Sequence, residues 1–241
     1  MIQVRKAMVM AAGLGTRMRP ITDHIPKPLV PVAGVTLIDR ALDWLLASAI
    51  NEVVINTHYK AAMLEEHLRR RTSPIIHISQ EEVLLETGGG VKKAMPLLGD
   101  HPFFATNSDV ICLDSKTPAL ENMRKMWDDA SMDVLLLLHP VEKAIGYPGA
   151  GDFFIEHDGT LRRRAAATLA PYVFTGVQLI HPRLFAHAPK QDIFSLNMLY
   201  DHALSTEPQR LCAVVHDGEW LHIGDPDGLA KAEAFFAFNH R

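Results

Sequence analysis

The sequence predicts an α/β fold built around a mainly parallel sheet. In the first half of the chain, short apolar runs alternate with segments whose apolar residues recur at helical spacing, which is typical of βαβ units. The first run, Ala7 to Ala12, has the length and the flanks of a buried parallel strand. No internal repeat or low-complexity segment interrupts the pattern. Residues 1–241 are therefore expected to form one domain, with an N-terminal lobe of about residues 1–130 and a C-terminal lobe of about residues 131–241.

The first half is predicted to supply alternating helices and strands. Apolar residues at helical spacing predict helices from Leu37 to Leu46 and from Met63 to Leu68. Apolar runs predict the intervening strands, which are Glu52–Thr57, Ile75–Ser79 and Pro102–Thr106. Open α/β sheets bind ligands beyond the carboxyl ends of their strands. The segment that follows Ala12 and the carboxylate of Asp109 are therefore expected to share one crevice.

The second half is predicted to be less regular. Asp133 to Leu138 has the composition of an apolar central strand, and Phe153 to Leu161 that of a hairpin, because an Asp-Gly turn lies in its middle. The remaining predicted elements are a strand at Tyr172–Ile180, a helix at Leu196–Leu204, and a strand pair formed by Leu211–Val215 and Trp220–Ile223. Asp225 and Pro226 suit the cap and the first position of a last helix.

Composition limits the classes of function. With 48% hydrophobic and 22% charged residues, the chain has the make-up of an ordinary soluble globule. A net charge of −4 argues against a general surface for nucleic acid or anionic membranes. No apolar stretch approaches the length of a membrane span or of a signal-peptide core. Cys112 and Cys212 do not match a paired zinc spacing, so free thiols in a reducing compartment, the cytoplasm, are expected. No oligomeric state is predicted.

The first strand leads into Gly13-Leu14-Gly15-Thr16-Arg17, a glycine-rich segment followed closely by positive charge. Glycines let the backbone turn sharply and bring N–H groups against phosphate oxygens, and Arg17 and Lys27 add fixed positive charge. A dinucleotide fingerprint is excluded because Met18 stands where its third glycine belongs. A Walker loop is excluded because the chain contains no Gly-Lys-Ser or Gly-Lys-Thr. The segment is therefore expected to hold a polyphosphate of another class.

Motifs spread over nearly the whole chain resemble the signature of sugar-1-phosphate nucleotidyltransferases. They are Ala11–Pro20, Pro26–Gly34, Glu86–Gly90, Asn107–Asp109, Gly151–Phe153 and Trp220–Pro226. The resemblance implies a Rossmann-like three-layer nucleotidyltransferase fold with a mostly parallel central mixed sheet. It also implies transfer of a nucleoside monophosphate from a nucleoside triphosphate to a sugar 1-phosphate, with release of pyrophosphate. The run from Leu85 to Gly90 favours the branch that uses UTP and N-acetylmuramate 1-phosphate in peptidoglycan recycling.

The resemblance also implies roles for individual residues. The implied nucleotide-binding set is Ala11, Ala12, Gly13, Gly15, Thr16, Arg17, Lys27, Thr87 and Gly88. Arg17 would neutralise the leaving pyrophosphate, and Lys27 would pair with the phosphates that flank the reacting centre. Thr87 to Gly90 is expected to be a loop that approaches the base. The sugar side is expected to include Asn107, Asp152 and Gly176.

Asp109 is the expected metal ligand. Mg²⁺ prefers carboxylate and phosphate oxygens and needs only one or two protein carboxylates. In the family pattern Trp-x-Asp-x-Gly-Thr the aspartate supplies a second metal contact, but this chain has His222 there and Asp225 in place of the threonine. Imidazole is a poor ligand for Mg²⁺. Three arrangements therefore stay open: Asp109 and phosphates hold the ion alone, His222 contacts phosphate as a cation or through water, or Asp225 completes the site.

Two other functions compete with uridylyl transfer. Guanylyl transfer to mannose 1-phosphate is the alternative within the same family. A nucleotide-sensing protein with weak or no catalysis is the alternative from another class, and only His222 favours it. Cytidylyltransferases share an Ala-Ala-Gly opening, but the block Pro26-Lys27-Pro28-Leu29 argues against them. If the site is catalytic, Arg17→Ala and Asp109→Ala are each expected to reduce turnover far more than folding.

Overall fold

A computed structural model describes residues 2–239. In this part of the chain the strands are β1 (Lys6–Met10), β2 (Pro31–Val32), β3 (Val35–Thr36), β4 (Glu52–Thr57), β5 (Ile75–Gln80), β6 (Phe103–Asn107), β7 (Val110–Leu113), β8 (Val134–Pro140), β9 (Phe153–Ile155), β10 (Leu161–Arg163), β11 (Tyr172–Ile180), β12 (Leu211–Val215) and β13 (Glu219–His222). The α-helices are α1 (Ile21–His24), α2 (Leu37–Ala47), α3 (Ala61–Leu68), α4 (Glu86–Leu98), α5 (Ala119–Met126), α6 (Asn197–Thr206) and α7 (Pro226–Asn239). The predicted strands at β4, β11 and β12 are confirmed to the residue, and the other predicted elements begin or end within one or two residues of their expected positions.

Nine of these strands form one mixed sheet, as the sequence predicts. Its main path runs β10-β9-β11-β6-β1-β4-β5, with β8 beside β11 and β12 beside β8. Strands β6, β1, β4 and β5 are parallel to one another, and β11 runs antiparallel to β6. The pairing of β6 with β11 makes the sheet continuous between the two halves of the chain.

Helices cover both faces of the sheet, so the molecule has three layers. On one face α2, α3 and α5 bury residues such as Leu42, Leu64 and Met123. On the other face α4 and α6 bury residues such as Val91 and Leu199. A smaller third cluster joins α7 to the segments that follow β1 and β13. Within residues 2–239, no helix combines the length and the apolar character that crossing a bilayer requires.

The prediction that Leu211–Val215 and Trp220–Ile223 pair with each other is wrong. Strand β12 lies parallel to β8, and β13 runs antiparallel to β7 in a separate two-stranded sheet. Trp220 explains the separation, because its side chain is 1% exposed and its indole N–H donates a hydrogen bond to the Thr175 carbonyl at 3.0 Å. Pairing β13 with β7 buries this ring and places His222 opposite Val110, next to Asp109.

Candidate active site

The glycine-rich segment after β1 forms one wall of a cavity at the carboxyl edge of the sheet. Gly15 has a left-handed backbone with φ of 63°, which glycine adopts without strain. Its carbonyl accepts a hydrogen bond from the buried Thr22 hydroxyl at 2.8 Å, which fixes the turn. Apart from Gly13 and its two neighbours in sequence, no residue of the described chain has an atom within 4 Å of the position that a Cβ would take at Gly13. Open space therefore borders the backbone at the position where a ligand would approach it.

Lys27 and Asp109 meet at this cavity as an ion pair. Pro26 holds extended backbone before a short 3₁₀ turn at Lys27–Leu29, and Asp109 follows the carboxyl end of β6. The Lys27 Nζ lies 2.6 Å from the Asp109 Oδ2, and the two side chains are 11% and 22% exposed. Burial would raise the pKa of the Asp109 carboxyl, but the charge and hydrogen bond of Lys27 outweigh it and hold that pKa below its ordinary value. Asp109 is therefore a carboxylate at neutral pH.

The cavity has a volume of about 440 Å³ and gathers most of the predicted site. Its lining residues are Met10, Ala11, Ala12, Gly13, Gly15, Thr16, Arg17, Lys27, Pro28, Asn56, Leu84, Glu86, Thr87, Asn107, Ser108, Asp109, Ser195 and Gly224. Eight of the nine predicted nucleotide-binding residues lie in this lining, together with Asn107 and Asp109. The predicted common crevice at the carboxyl ends of β1 and β6 is thus present.

The prediction of a loop at Thr87–Gly90 is wrong, because these residues form the first turns of α4. The N–H groups of Gly88 and Gly89 donate to the Phe194 carbonyl at 2.8 and 3.0 Å rather than facing the cavity. A Cβ at Gly88 would lie 2.4 Å from the Phe194 ring, so this glycine allows the helix to approach residue 194 closely. Thr87 lines the cavity, whereas Gly88 is buried behind it.

The predicted sugar-side residues separate in the structure. Asn107 lines the cavity, whereas Asp152 and Gly176 are not among its lining residues. The Asp152 Oδ2 accepts a hydrogen bond from the Phe174 N–H at 2.9 Å. Gly176 has φ of 86° within a bulge of β11, and a Cβ there would lie 2.7 Å from the Asn107 side-chain nitrogen. Gly176 therefore makes room for Asn107.

His222 and Asp225 differ in their surroundings. The Asp225 Oδ1 accepts a hydrogen bond from the Gly228 N–H at 2.9 Å, which is the predicted cap of α7. The His222 ring stacks on Trp220 with 5.8 Å between ring centroids, and its Nδ1 is buried without a hydrogen-bond partner in the described chain. Burial lowers the pKa of His222 below its ordinary value, although the Asp109 carboxylate opposes this shift. The imidazole is therefore neutral at pH 7, and neither His222 nor Asp225 is among the residues that line the cavity.

Sequence reasoning missed four residues of the cavity wall: Met10, Asn56, Leu84 and Ser195. Asn56 lies near the carboxyl end of the predicted strand Glu52–Thr57. Because open α/β sheets bind ligands at the carboxyl ends of their strands, Asn56 could have been predicted in the crevice on the same ground as Asp109. Ser195 comes from a segment that is distant in sequence. It lies beside Thr87, whose hydroxyl accepts a hydrogen bond from the Leu196 N–H at 2.9 Å. No short-range sequence signal indicates this contact.

Comparisons with known proteins agree with this geometry. Residues 6–150 match the family described as nucleotidyl transferase. The chain is 43% identical over 236 residues to an N-acetylmuramate alpha-1-phosphate uridylyltransferase of Caulobacter vibrioides, with 96% of each chain covered. It is 31% identical to the Neisseria meningitidis protein of the same name, with 95% of this chain and 97% of that one covered. Mannose-1-phosphate guanyltransferases also match, at lower identity or over a shorter part of the chain.

Solved structures show the shared fold. A UDP-glucose pyrophosphorylase from Acinetobacter baumanii superposes with a TM-score of 0.81 at 17% identity, covering 99% of this chain and 95% of that one. This likeness covers both halves of the molecule, including the sheet edge at which the cavity lies. The family match and the two relatives show that the chain belongs to the nucleotidyl transferase family, as a sugar-1-phosphate nucleotidyltransferase.

Proposed function

We propose that the protein transfers UMP from UTP to N-acetylmuramate 1-phosphate, releasing pyrophosphate and forming UDP-N-acetylmuramate. The observation that carries this choice of substrates is the 43% identity, over 96% of both chains, to a relative with that activity in its name. The more distant match of the mannose-1-phosphate guanyltransferases makes guanylyl transfer the weaker alternative. Use of the product in peptidoglycan recycling in the cytoplasm belongs to the same proposal.

The residues of the cavity suit this reaction. A phosphate oxygen of the sugar 1-phosphate attacks the α-phosphorus of UTP, the bond between the α-phosphorus and its bridging oxygen to the β-phosphorus breaks, and pyrophosphate leaves. Two polyanions must meet, so the protein's task is alignment and neutralisation of charge. The exposed Arg17 side chain and the open backbone at Gly13 would bind the departing phosphates. Lys27 would exchange its bond with Asp109 for one with phosphates at the reacting centre.

Asp109 is suited to a magnesium ion. No group of three His, Cys, Asp or Glu side chains in residues 2–239 forms a complete metal site. A hard ion held by one carboxylate and by substrate phosphate oxygens does not need such a group. Asp109 would hold Mg²⁺ on the cavity side, where the ion supplies positive charge against the α-phosphate. The low pKa of Asp109 keeps the carboxylate available at neutral pH.

Of the two residues proposed to assist Asp109, His222 has the better support. Asp225 already accepts the capping bond from Gly228, whereas the buried Nδ1 of His222 lacks a partner in the described chain. A neutral imidazole can donate one N–H, and nitrogen is a poor ligand for Mg²⁺. We assign Asp225 to the helix cap. We propose that His222, whose ring interacts electrostatically with Asp109, Lys27 and Arg17, donates a hydrogen bond to a substrate phosphate.

The test is pyrophosphate release from each of the four common nucleoside triphosphates with a panel of sugar 1-phosphates. N-acetylglucosamine 1-phosphate is the matched control, because it lacks only the lactyl group of the proposed acceptor. We expect UTP with N-acetylmuramate 1-phosphate to give the highest kcat/KM, with the product identified by mass. A preference for GTP and mannose 1-phosphate would replace this proposal by its alternative. Tight nucleotide binding without turnover of any pair would favour a sensor.

A further inference from the structure

Two buried polar side chains, Asn56 in the cavity wall and Glu81 behind it, connect the walls of the cavity. Asn56 is 4% exposed and Glu81 is 2% exposed. The Asn56 Oδ1 accepts a hydrogen bond from the Ala11 N–H at 2.7 Å, and the Asn56 Nδ2 donates to the Glu81 Oε1 at 2.7 Å. The Glu81 Oε2 accepts from the Leu85 N–H at 3.0 Å. Three hydrogen bonds thus run from the start of the glycine-rich segment to the residue that precedes α4.

The ends of this network lie on two walls of the nucleotide cavity. Ala11 itself lines the cavity, and Leu85 is followed directly by Glu86 and Thr87, which line it from α4. The helix packs tightly on the network, since a Cβ at Gly90 would lie 2.8 Å from the Glu81 Oε1. The distance between the two walls therefore depends on this network.

The carboxylate of Glu81 fixes the direction of each bond. A carboxylate only accepts hydrogen bonds, whereas an amide can be turned and still fill the same space. Because both Glu81 oxygens face donors, Asn56 presents its NH₂ group to Glu81 and its oxygen to Ala11. A glutamine at position 81 cannot satisfy both neighbours. Its own NH₂ group would face the Leu85 N–H, or would force Asn56 to turn its NH₂ group toward the Ala11 N–H.

We propose that Glu81 is a positioning residue for nucleotide binding, which acts through Asn56 and Leu85 to set the spacing between the glycine-rich segment and the start of α4. The inference rests on the proposed function only in requiring a nucleotide in this cavity. Glu81 is not among the lining residues, so its effect reaches the nucleotide through the two walls. Its loss weakens nucleotide binding more than it slows the chemistry at Lys27 and Asp109.

The experiment compares Glu81→Gln, Asn56→Asp and the double variant Glu81→Gln/Asn56→Asp with the unaltered protein. In the double variant, the glutamine at position 81 donates to the aspartate at position 56 and accepts from Leu85. The aspartate accepts from both the glutamine and Ala11, so each buried donor again has an acceptor. Glu82→Gln is the matched control, because Glu82 is the adjacent glutamate and is exposed. Calorimetric titration with each of the four nucleoside triphosphates, without sugar phosphate, gives the dissociation constants.

For the nucleotide that the unaltered protein binds most tightly, we expect Glu81→Gln to weaken binding about 10- to 100-fold, because the free protein relieves the unpaired buried donor by shifting the two walls and binding must restore their spacing. KM for that nucleotide rises while kcat changes less, the double variant recovers most of the affinity, and Glu82→Gln binds normally. Unchanged affinity in Glu81→Gln, a lower melting temperature alone, or no recovery in the double variant would each overturn the proposal. If either single variant does not fold, the double variant is the test. Folding with recovered nucleotide affinity supports the proposal, and failure to fold or to bind the nucleotide overturns it.

This design separates the inference from the proposed function. A protein that binds a nucleotide in the expected pattern but turns over no N-acetylmuramate 1-phosphate would contradict the proposed substrates and leave the role of Glu81 intact. Turnover of the proposed substrates together with normal nucleotide affinity in Glu81→Gln would support the proposed function and contradict the role of Glu81.

Discussion

At the scale of single residues, the pair of Lys27 and Asp109 has two roles that compete. Without substrate, the two groups neutralise each other at 2.6 Å in a largely buried place. With substrate, phosphate oxygens compete for Lys27, and Asp109 becomes available to a cation. Replacing Asp109 leaves an ammonium group that is only 11% exposed without its partner. The expectation that Asp109→Ala reduces turnover far more than folding is therefore revised: both turnover and stability are expected to fall.

The lowered pKa of Asp109 gives this stability a defined pH dependence. A carboxyl with a folded-state pKa below its unfolded value stabilises the fold above the unfolded pKa of about 3.9, and this contribution is lost as the pH falls through the folded value. We expect Asp109→Asn to lower the melting temperature by a constant amount from pH 7 to about pH 5. Below that range the difference should shrink. Thermal unfolding of both proteins between pH 3 and pH 7 measures this, and a difference that grows on acidification would contradict it.

Arg17, in contrast, is expected to contribute to activity but not to the stability of the fold. Its side chain is exposed at the cavity, so Arg17→Ala is expected to leave the melting temperature unchanged. Loss of one charge contact to the transition state corresponds to about 2–4 kcal/mol of barrier, or roughly 30- to 1,000-fold in kcat/KM. Arg19→Ala is the matched control, because Arg19 is also exposed but pairs with Asp23 at 3.2 Å. Steady-state kinetics of the two variants check the prediction, and equal activities would place the site elsewhere.

Replacing His222 tests its proposed hydrogen bond with a substrate phosphate. Since a hydrogen bond to a charged group contributes about 1.5–3 kcal/mol, His222→Ala is expected to lower kcat/KM about 10- to 100-fold. His222→Asn should recover part of this, because the asparagine amide can place an N–H near the position of Nδ1. The measurement is kcat/KM over a series of Mg²⁺ concentrations. Wild-type activity of His222→Ala at every concentration would remove His222 from the mechanism.

At the scale of elements, α4 shows why part of the site could not be predicted. Three successive glycines are unfavourable in a helix, by about 1 kcal/mol each relative to alanine, so a loop was the natural prediction. The structure keeps them in the helix because the space beside them is filled by Phe194, by the Asp192 carbonyl and by Glu81. Such contacts come from distant segments, and local propensity does not report them. The glycines of Gly13–Gly15, in contrast, were predicted because strand, turn and positive charge follow one another in sequence.

Alanine substitutions at Gly13 and Gly89 test this difference between a glycine that borders the cavity and a glycine that packs inside the fold. An alanine at position 89 would place its Cβ 2.0 Å from the Asp192 carbonyl oxygen, so Gly89→Ala should destabilise the protein by at least about 1 kcal/mol despite the better helix propensity of alanine. At position 13 the Cβ meets open space, so Gly13→Ala should melt like the unaltered protein. Its methyl group would block close approach of phosphate, which we expect to weaken nucleotide binding about 10- to 100-fold. Denaturant unfolding measures the stability of each variant, and calorimetry measures its nucleotide affinity. A destabilised Gly13→Ala with normal affinity, or a Gly89→Ala as stable as the unaltered protein, would contradict the prediction.

At the scale of the whole molecule, the period of apolar residues predicted the parallel part of the sheet and the crevice at its carboxyl edge. It did not predict the pairing of β7 with β13, because these strands lie far apart in sequence and each is short. Sequence reasoning therefore paired strands that are neighbours along the chain, as it did for β12 and β13. The long-range pairs β6–β11 and β7–β13 are the ones that join the two halves.

These joins support the prediction that residues 1–241 unfold as one cooperative unit. If the two lobes are inseparable, a probe in either half should report the same transition. Trp44 lies in α2 in the first half and Trp220 in β13 in the second, so variants that retain only one of these tryptophans provide the two probes. We expect coincident midpoints in denaturant, and an equal shift of both when UTP and Mg²⁺ are added, about 2.7 kcal/mol at 100 times the dissociation constant. Separate midpoints, or a shift confined to Trp44, would mean that the nucleotide stabilises only the N-terminal lobe and that the chain has two folding units.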